Sequence, residues 1–123
     1  VNASEGSYLG DDAFVLENEH LRVFVNRTGT ASSYAGLDTS RLLLAIYQKD
    51  LGQWISNPGF LDITIDYNSL SRSGSGYTAL EESGAFLPYG QVNAYIESDY
   101  GLNYYIYFVL ESGSDFLQIK ANV

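Results

Sequence analysis

The residues able to do chemistry are few, and their spacing excludes most of what they could do. His20 is the only histidine. A Ser-His-Asp triad would have to use it, and no Gly-x-Ser-x-Gly elbow accompanies it. It sits in Asn18-Glu19-His20, a turn-forming run where an imidazole is ordinarily exposed. A histidine zinc site lacks its other ligands. Asp62 and Asp66 share one face of an alternating run and raise the paired carboxylates of glycoside hydrolysis. Along a strand they stand roughly 13 Å apart, beyond the spacing of about 6.5–9.5 Å that an inverting pair needs. Glu81 and Glu82 are neighbours in an extended run and point to opposite faces. No catalytic set survives, and the chain reads as a non-enzyme.

Binding chemistry is better represented. Asp11, Asp12 and Asp99 are acidic loop residues with hard oxygen ligands. Ca²⁺ is the one cofactor they would suit, although no loop has Asp-x-Asp-x-Asp-Gly spacing and the metal ligands stay unassigned. The chain has 11 Tyr, 6 Phe and a single Trp. Such rings stack on sugars when exposed, and they also anchor protein interfaces. Trp54 lies beside Gln53 and Asn57, whose amides can hydrogen-bond hydroxyls. Tyr100 and Tyr104 cluster with Tyr105 and Tyr107 near the last hairpin. Trp54, Tyr100 and Tyr104 are therefore the candidate ligand or interface residues. The competing reading of each is a core ring or a cross-strand pair. Asn2-Ala3-Ser4 and Asn26-Arg27-Thr28 fit the glycosylation acceptor pattern. Asn26, at a strand end and opening a polar turn, is the preferred acceptor, and Asn2 the second.

The elements that must position these groups read as strands. Residues 103–111 are apolar on both faces, as in a strand covered on both sides. Ser112-Gly113-Ser114-Asp115 supplies a turn. Leu117, Ile119, Ala121 and Val123 then alternate against Gln118, Lys120 and Asn122. This pair predicts a central hairpin. Further strands are expected over residues 13–17, 21–26, 60–67, 77–82 and 91–97, with a weaker one over 31–37. Residues 42–47 read as a short buried strand; a helix over 42–48 capped by Asp38, Thr39 or Ser40 is the other reading their period allows. Residues 50–59, with Trp54 and Asn57-Pro58-Gly59, read as a loop. Eight or nine short strands between turn signals predict an all-β chain, an antiparallel β-sandwich or jelly-roll-like fold with at most one short helix. Residues 13–123 form the single domain. Residues 1–12, polar and Gly-bearing, read as a flexible tail or an arm exchanged with a neighbouring copy.

Composition narrows the partners. The formal net charge of −9, with only 6 Lys and Arg, argues against nucleic acid and against an anionic membrane surface. No apolar run approaches the ~20 residues that cross a bilayer. The Cys count of 0 removes disulfides and thiolate metal sites. A chain that opens on Val1 and has no Met reads as a processed or excised piece of a longer one.

Two segments resemble a known family. Phe14-Val15-Leu16-Glu17-Asn18-Glu19-His20-Leu21-Arg22-Val23, followed by Thr28-Gly29, is similar to the opening strands of galactose-mutarotase-like supersandwich domains. These occur in polysaccharide lyases and α-mannosidases. Tyr100-Gly101-Leu102, through Leu110-Glu111-Ser112-Gly113-Ser114-Asp115-Phe116-Leu117, resembles a later hairpin of the same domains. The resemblance implies an extracellular, carbohydrate-associated β-sandwich. None of the family's acidic or His motifs has a counterpart here, so no site residue is carried over. The expectation is a non-enzymatic structural subunit, extracellular or at the cell surface, of a filament, surface layer or similar assembly. Its partners would be copies of itself joined by strand exchange, and it would be glycosylated. The alternative is a carbohydrate-binding or accessory domain of a polysaccharide-active enzyme, with glycans as partners.

Overall fold

Alternating apolar and polar residues dominate the chain, and a computed structural model shows which partner each alternating face meets. It describes residues 1–27, 42–61, 63–65, 68–70, 77–97 and 103–122. Among them are eleven strands and no helix: β1 (Asn2–Tyr8), β2 (Asp11–Glu17), β3 (Leu21–Asn26), β4 (Leu42–Gln48), β5 (Gln53–Leu61), β6 (Ile63–Ile65), β7 (Asn68–Leu70), β8 (Tyr77–Leu80), β9 (Tyr89–Glu97), β10 (Asn103–Glu111) and β11 (Gln118–Asn122). The first sheet has the order β1-β2-β3-β4-β5, the second β11-β10-β9-β8, and β6 pairs with β7. All pairings are antiparallel. Of the architectures the strand pattern admits, the protein takes the sandwich, and each large sheet is a meander in chain order.

The core lies between the two sheets because period-2 alternation gives each strand one apolar face. Phe14, Leu16, Leu21, Val23, Val25 and Leu44 from the first sheet meet Val92, Ala94, Tyr104, Ile106, Phe108 and Leu110 from the second. The two sheets approach closely at Gly90, which is buried on β9. A Cβ there would stand 2.8 Å from Leu16 Cδ2 and 3.1 Å from Val1 Cγ1. Where β8 reaches the end of β3, Thr78 Oγ1 donates to the Asn26 carbonyl at 2.9 Å.

One turn ties the sheets together. Asn18, between β2 and β3, is buried although polar. Its Oδ1 accepts the backbone N–H groups of His20 and Leu21, both at 2.8 Å. Its Nδ2 donates to the carbonyls of Glu111 at 2.9 Å and Ser114 at 2.7 Å, in the β10–β11 turn of the other sheet. Lys49 Nζ donates to the Asn18 carbonyl at 3.0 Å. The same asparagine shapes its own turn and clamps that turn to the opposite sheet.

Three sequence expectations are corrected. The polar first segment is not a loose tail: residues 2–8 are ladder-paired to β2 from Asn2↔Glu17 to Tyr8↔Asp11. Backbone pairing needs no apolar side chains, and the segment buries only Ala3 and Tyr8. The loop expected at 50–59 is largely strand β5. Asn57 and Pro58 fall where the β4–β5 register jumps from Leu44↔Gly59 to Ile46↔Ser56. Proline is tolerated at such an irregularity on an edge strand because it breaks no regular ladder bond. Within the range 60–67 the described residues, 60–61 and 63–65, are strand, as expected. Finally, the last hairpin is not central. β10 is an interior strand, but β11 is an edge whose Ile119 and Ala121 remain exposed. Residues 42–48 form the strand β4. The weak strand expected over 31–37 lies outside the described residues.

Candidate interaction face

The outer face of the second sheet gathers tyrosines from three strands. Tyr77 on β8 lies directly opposite Tyr95 on β9, and Tyr95 lies opposite Tyr105 on β10. Their ring centroids are 5.4 and 5.1 Å apart, tilted by 36° and 47°. Tyr107, two residues along β10 and so on the same face, stacks on Tyr105 at 6.0 Å and 3°. The strands place them there because the intervening Thr78, Ala94, Tyr104 and Ile106 fill the buried face. Tyr77 is 48% exposed and Tyr105 39%. Cross-strand aromatic pairs of this kind contribute roughly 0.2–1 kcal/mol each to a sheet.

The rest of this face is neutral or positive. Gln91 Nε2 donates to Asn93 Oδ1 at 2.7 Å. Asn93 sits opposite Tyr107, as do Lys120 and Asn122 of β11 opposite Tyr107 and Tyr105. Among the described side chains the carboxylates lie at the margins of this face: Glu111 at the end of β10, and Glu81 just past β8, whose Oε1 accepts from the Tyr89 hydroxyl at 3.4 Å. In a chain of net charge −9 this sets the face apart. An aromatic centre without negative charge, bounded by acidic residues, is the anatomy of a protein interface.

A second aromatic group lies on the outer face of the first sheet. Trp54 on β5 packs edge-on against Tyr47 at 5.2 Å and Tyr8 at 5.6 Å, and Phe24 lies 5.2 Å from Tyr8 and 6.0 Å from Trp54. Buried Ala13 and Ala45 floor the cluster. Trp54 is 41% exposed. It therefore staples four strands with part of its ring and offers the remainder to solvent.

The remaining residues singled out in the sequence scatter. Tyr104 is 2% exposed and belongs to the core, a correction to its reading as a ligand residue. It shares a face with Ile106 and Phe108, so alternation carries it inward while Tyr105 goes outward. Tyr100, Asp62, Asp66 and Asp99 lie outside the described residues. Asn2 is exposed on β1, its Oδ1 accepting the Phe86 N–H at a long 3.4 Å, whereas Asn26 is half-buried. Asp11 and Asp12 open β2 rather than a loop. Among the described residues no three His, Cys, Asp or Glu side chains gather as a metal-binding group. A cleft of about 790 Å³ runs between β1 and residues 80–85, bordered by Glu5, Glu81 and Glu82.

Two groups of titratable side chains flank the Asn18 turn. His20 Nδ1 lies 2.7 Å from Asp50 Oδ2. That hydrogen bond holds the imidazole pKa above its ordinary value, helped by the Asp50 charge. Partial burial raises the pKa of Glu17, but Arg22 at 2.6 Å and Lys49 at 3.4 Å outweigh it, and the net shift is downward. These groups pair with one another across the turn, and the His20–Asp50 pair is an exposed hydrogen-bonded pair.

Tyr77 and Tyr95 were missed as site residues by sequence reasoning. Their signal was present in Gln91-Val92-Asn93-Ala94-Tyr95, whose alternation already assigns Asn93 and Tyr95 to the polar side. That Tyr77 and Tyr105 flank Tyr95 depends on register, which no single strand encodes.

No family model matches the chain, and neither a curated protein nor a solved structure matches it.

Proposed function

We propose that the protein is a non-enzymatic structural subunit of an extracellular assembly, and that its tyrosine face packs against another copy of the chain. The observation that carries this reading is the Tyr77-Tyr95-Tyr105-Tyr107 ladder on a face whose interior positions hold no carboxylate. Copies with a net charge of −9 repel one another, and contact is cheapest where the negative charge is absent. Ring spacing favours a protein partner over a sugar. Rings 5–6 Å apart cover one another's faces, whereas a pyranose needs a clear aromatic face to stack on. A row of adjacent tyrosines instead suits interface anchoring, where a few aromatic side chains carry most of the energy.

Analytical ultracentrifugation and electron microscopy of native material test this. The wild-type chain is expected to assemble with rising concentration. The double variant Tyr77→Ser/Tyr105→Ser is expected to stay folded and to associate about tenfold more weakly or less. A variant that assembles like the wild type removes the tyrosine face from the interface.

Glycan attachment belongs to the same reading. Exposure makes Asn2 the more reachable acceptor and Asn26 the less, reversing the order the sequence alone suggests. Intact-mass measurement and peptide mapping of native protein are expected to show added mass on the Asn2 peptide. The bare polypeptide mass would rule glycosylation out.

The carbohydrate-binding reading retains one specific support, the half of Trp54 that faces solvent. A glycan array separates the two: saturable sugar binding lost in Trp54→Ala would favour it.

A further inference from the structure

We propose that β1 is an exchangeable arm: residues 1–8 of one copy leave their own β2 and occupy the same position on a second copy, pivoting at Leu9-Gly10. This inference rests on the self-assembly reading above and names its connecting element. The motive is the turn. Tyr8 pairs with Asp11, so Leu9 and Gly10 form a two-residue hairpin loop. Both have positive φ, 50° at Leu9 and 90° at Gly10, as in a type I′ turn. That turn favours Asn-Gly or Gly-Gly. Leucine in the left-handed region is strained, because its Cβ crowds the following carbonyl oxygen. The Leu9 side chain is exposed and gains no packing in return. The strain exists only while the hairpin is closed. Extending residues 9–10 releases it and carries the arm away from its own sheet.

The arm's contacts transfer without change. They are the β1–β2 ladder, a two-way backbone pair between Ala3 and Gly84 at 2.8 and 2.9 Å, and a second between Val1 and Leu87 at 2.7 and 2.9 Å. Main-chain bonds of this kind are the currency of strand addition. Side chains fix the register at both ends. Ala3 is buried beside Gly90, and Tyr8 packs on Phe24 and Trp54. A vacated site would uncover Leu16 and the Trp54 cluster, so it favours refilling by an identical arm over standing empty. Intramolecular and intermolecular forms thus hold the same contacts. They differ by the turn strain on one side and the entropy of association on the other.

The chain's lack of cysteine gives a clean test. Ser4 on β1 lies opposite Val15 on β2. Opposed strand positions lie within disulfide reach. Ser4→Cys and Val15→Cys are made as separate single variants of the full chain, mixed, assembled and oxidised. Exchange is expected to yield a disulfide-linked pair of one Ser4→Cys chain and one Val15→Cys chain on a non-reducing gel. Its proportion should rise with concentration. Leu9→Asn, which sits comfortably in the left-handed region, is expected to weaken this exchange roughly tenfold. The double variant Ser4→Cys/Val15→Cys, oxidised as a dilute monomer, locks the arm at home and should no longer exchange. If the mixed variants give no heterologous disulfide, the proposal is wrong. If the locked double variant assembles like the wild type, exchange is also wrong, while the tyrosine-face reading stands. A wild-type chain that stays monomeric at high concentration overturns both.

Discussion

Asn18→Ala is expected to lower the unfolding free energy by about 3 kcal/mol, the sum of several buried groups left unpaired at about 1–3 kcal/mol each, less what water recovers. The asparagine amide makes four hydrogen bonds to backbone, two within its turn and two across to the other sheet. The Leu21 N–H is the costliest loss, since Leu21 is completely buried and water cannot replace the acceptor. The carbonyls of Glu111 and Ser114 belong to a largely exposed turn and regain part of their hydration. Urea unfolding should show a lower midpoint with an unchanged slope, because the same surface is exposed on unfolding. Asn18→Asp separates the two halves of the role. It keeps both accepting interactions but sets a carboxylate against the Glu111 and Ser114 carbonyls, so it too is expected to destabilise, through the inter-sheet clamp alone. An Asn18→Ala protein within about 0.5 kcal/mol of wild type, the range of an ordinary surface substitution, would show that the clamp contributes nothing.

Gly90→Val should cost about 2–3 kcal/mol, the usual penalty for overfilling a packed core. A Cβ at 2.8 Å from Leu16 Cδ2 cannot be accommodated in place, and Leu16 is fully buried in a core that packs densely. The other contacts, Val1 at 3.1 Å and Ala3 at 3.5 Å, belong to the N-terminal segment. The least costly response is therefore to displace that segment from β9. Hydrogen exchange gives the local signature: protection of the Ala3 and Gly84 amides, each of which donates to the other residue's carbonyl, should fall more than protection in β3 or β10. Uniform loss of protection, or none, would mean the sheets do not close at this point. Gly90→Ala carries the same first contact with less bulk and should show the same pattern at smaller amplitude.

The sequence by itself determined the all-β, antiparallel class, and the structure chose the sandwich within it. Alternation in residues 21–26 and 91–97 needs only two faces of different polarity, and each segment carries that information within itself. The boundaries of β3 follow from it, as does the outward direction of Asn93 and Tyr95, and those of β10 from a continuous apolar run. The tertiary structure alone decided everything that depends on which strand lies beside which. Residues 118–122 alternate as well as any core strand, yet β11 ends up as an edge with Ile119 exposed, because alternation does not say whether an opposing sheet covers a face. Residues 2–8 have no apolar pattern, and their strand comes from backbone bonds to β2 on one side and to Gly84 and Leu87 on the other. Asn57-Pro58-Gly59 is a turn signal that an edge-strand irregularity absorbs. The tyrosine ladder is of the same kind: Tyr77, Tyr95 and Tyr105 are separated by 18 and 10 positions in the chain and become neighbours only through strand register. Faces are local properties of a strand; neighbours, edges and covered surfaces are long-range ones, and the tyrosine face is built from the second kind.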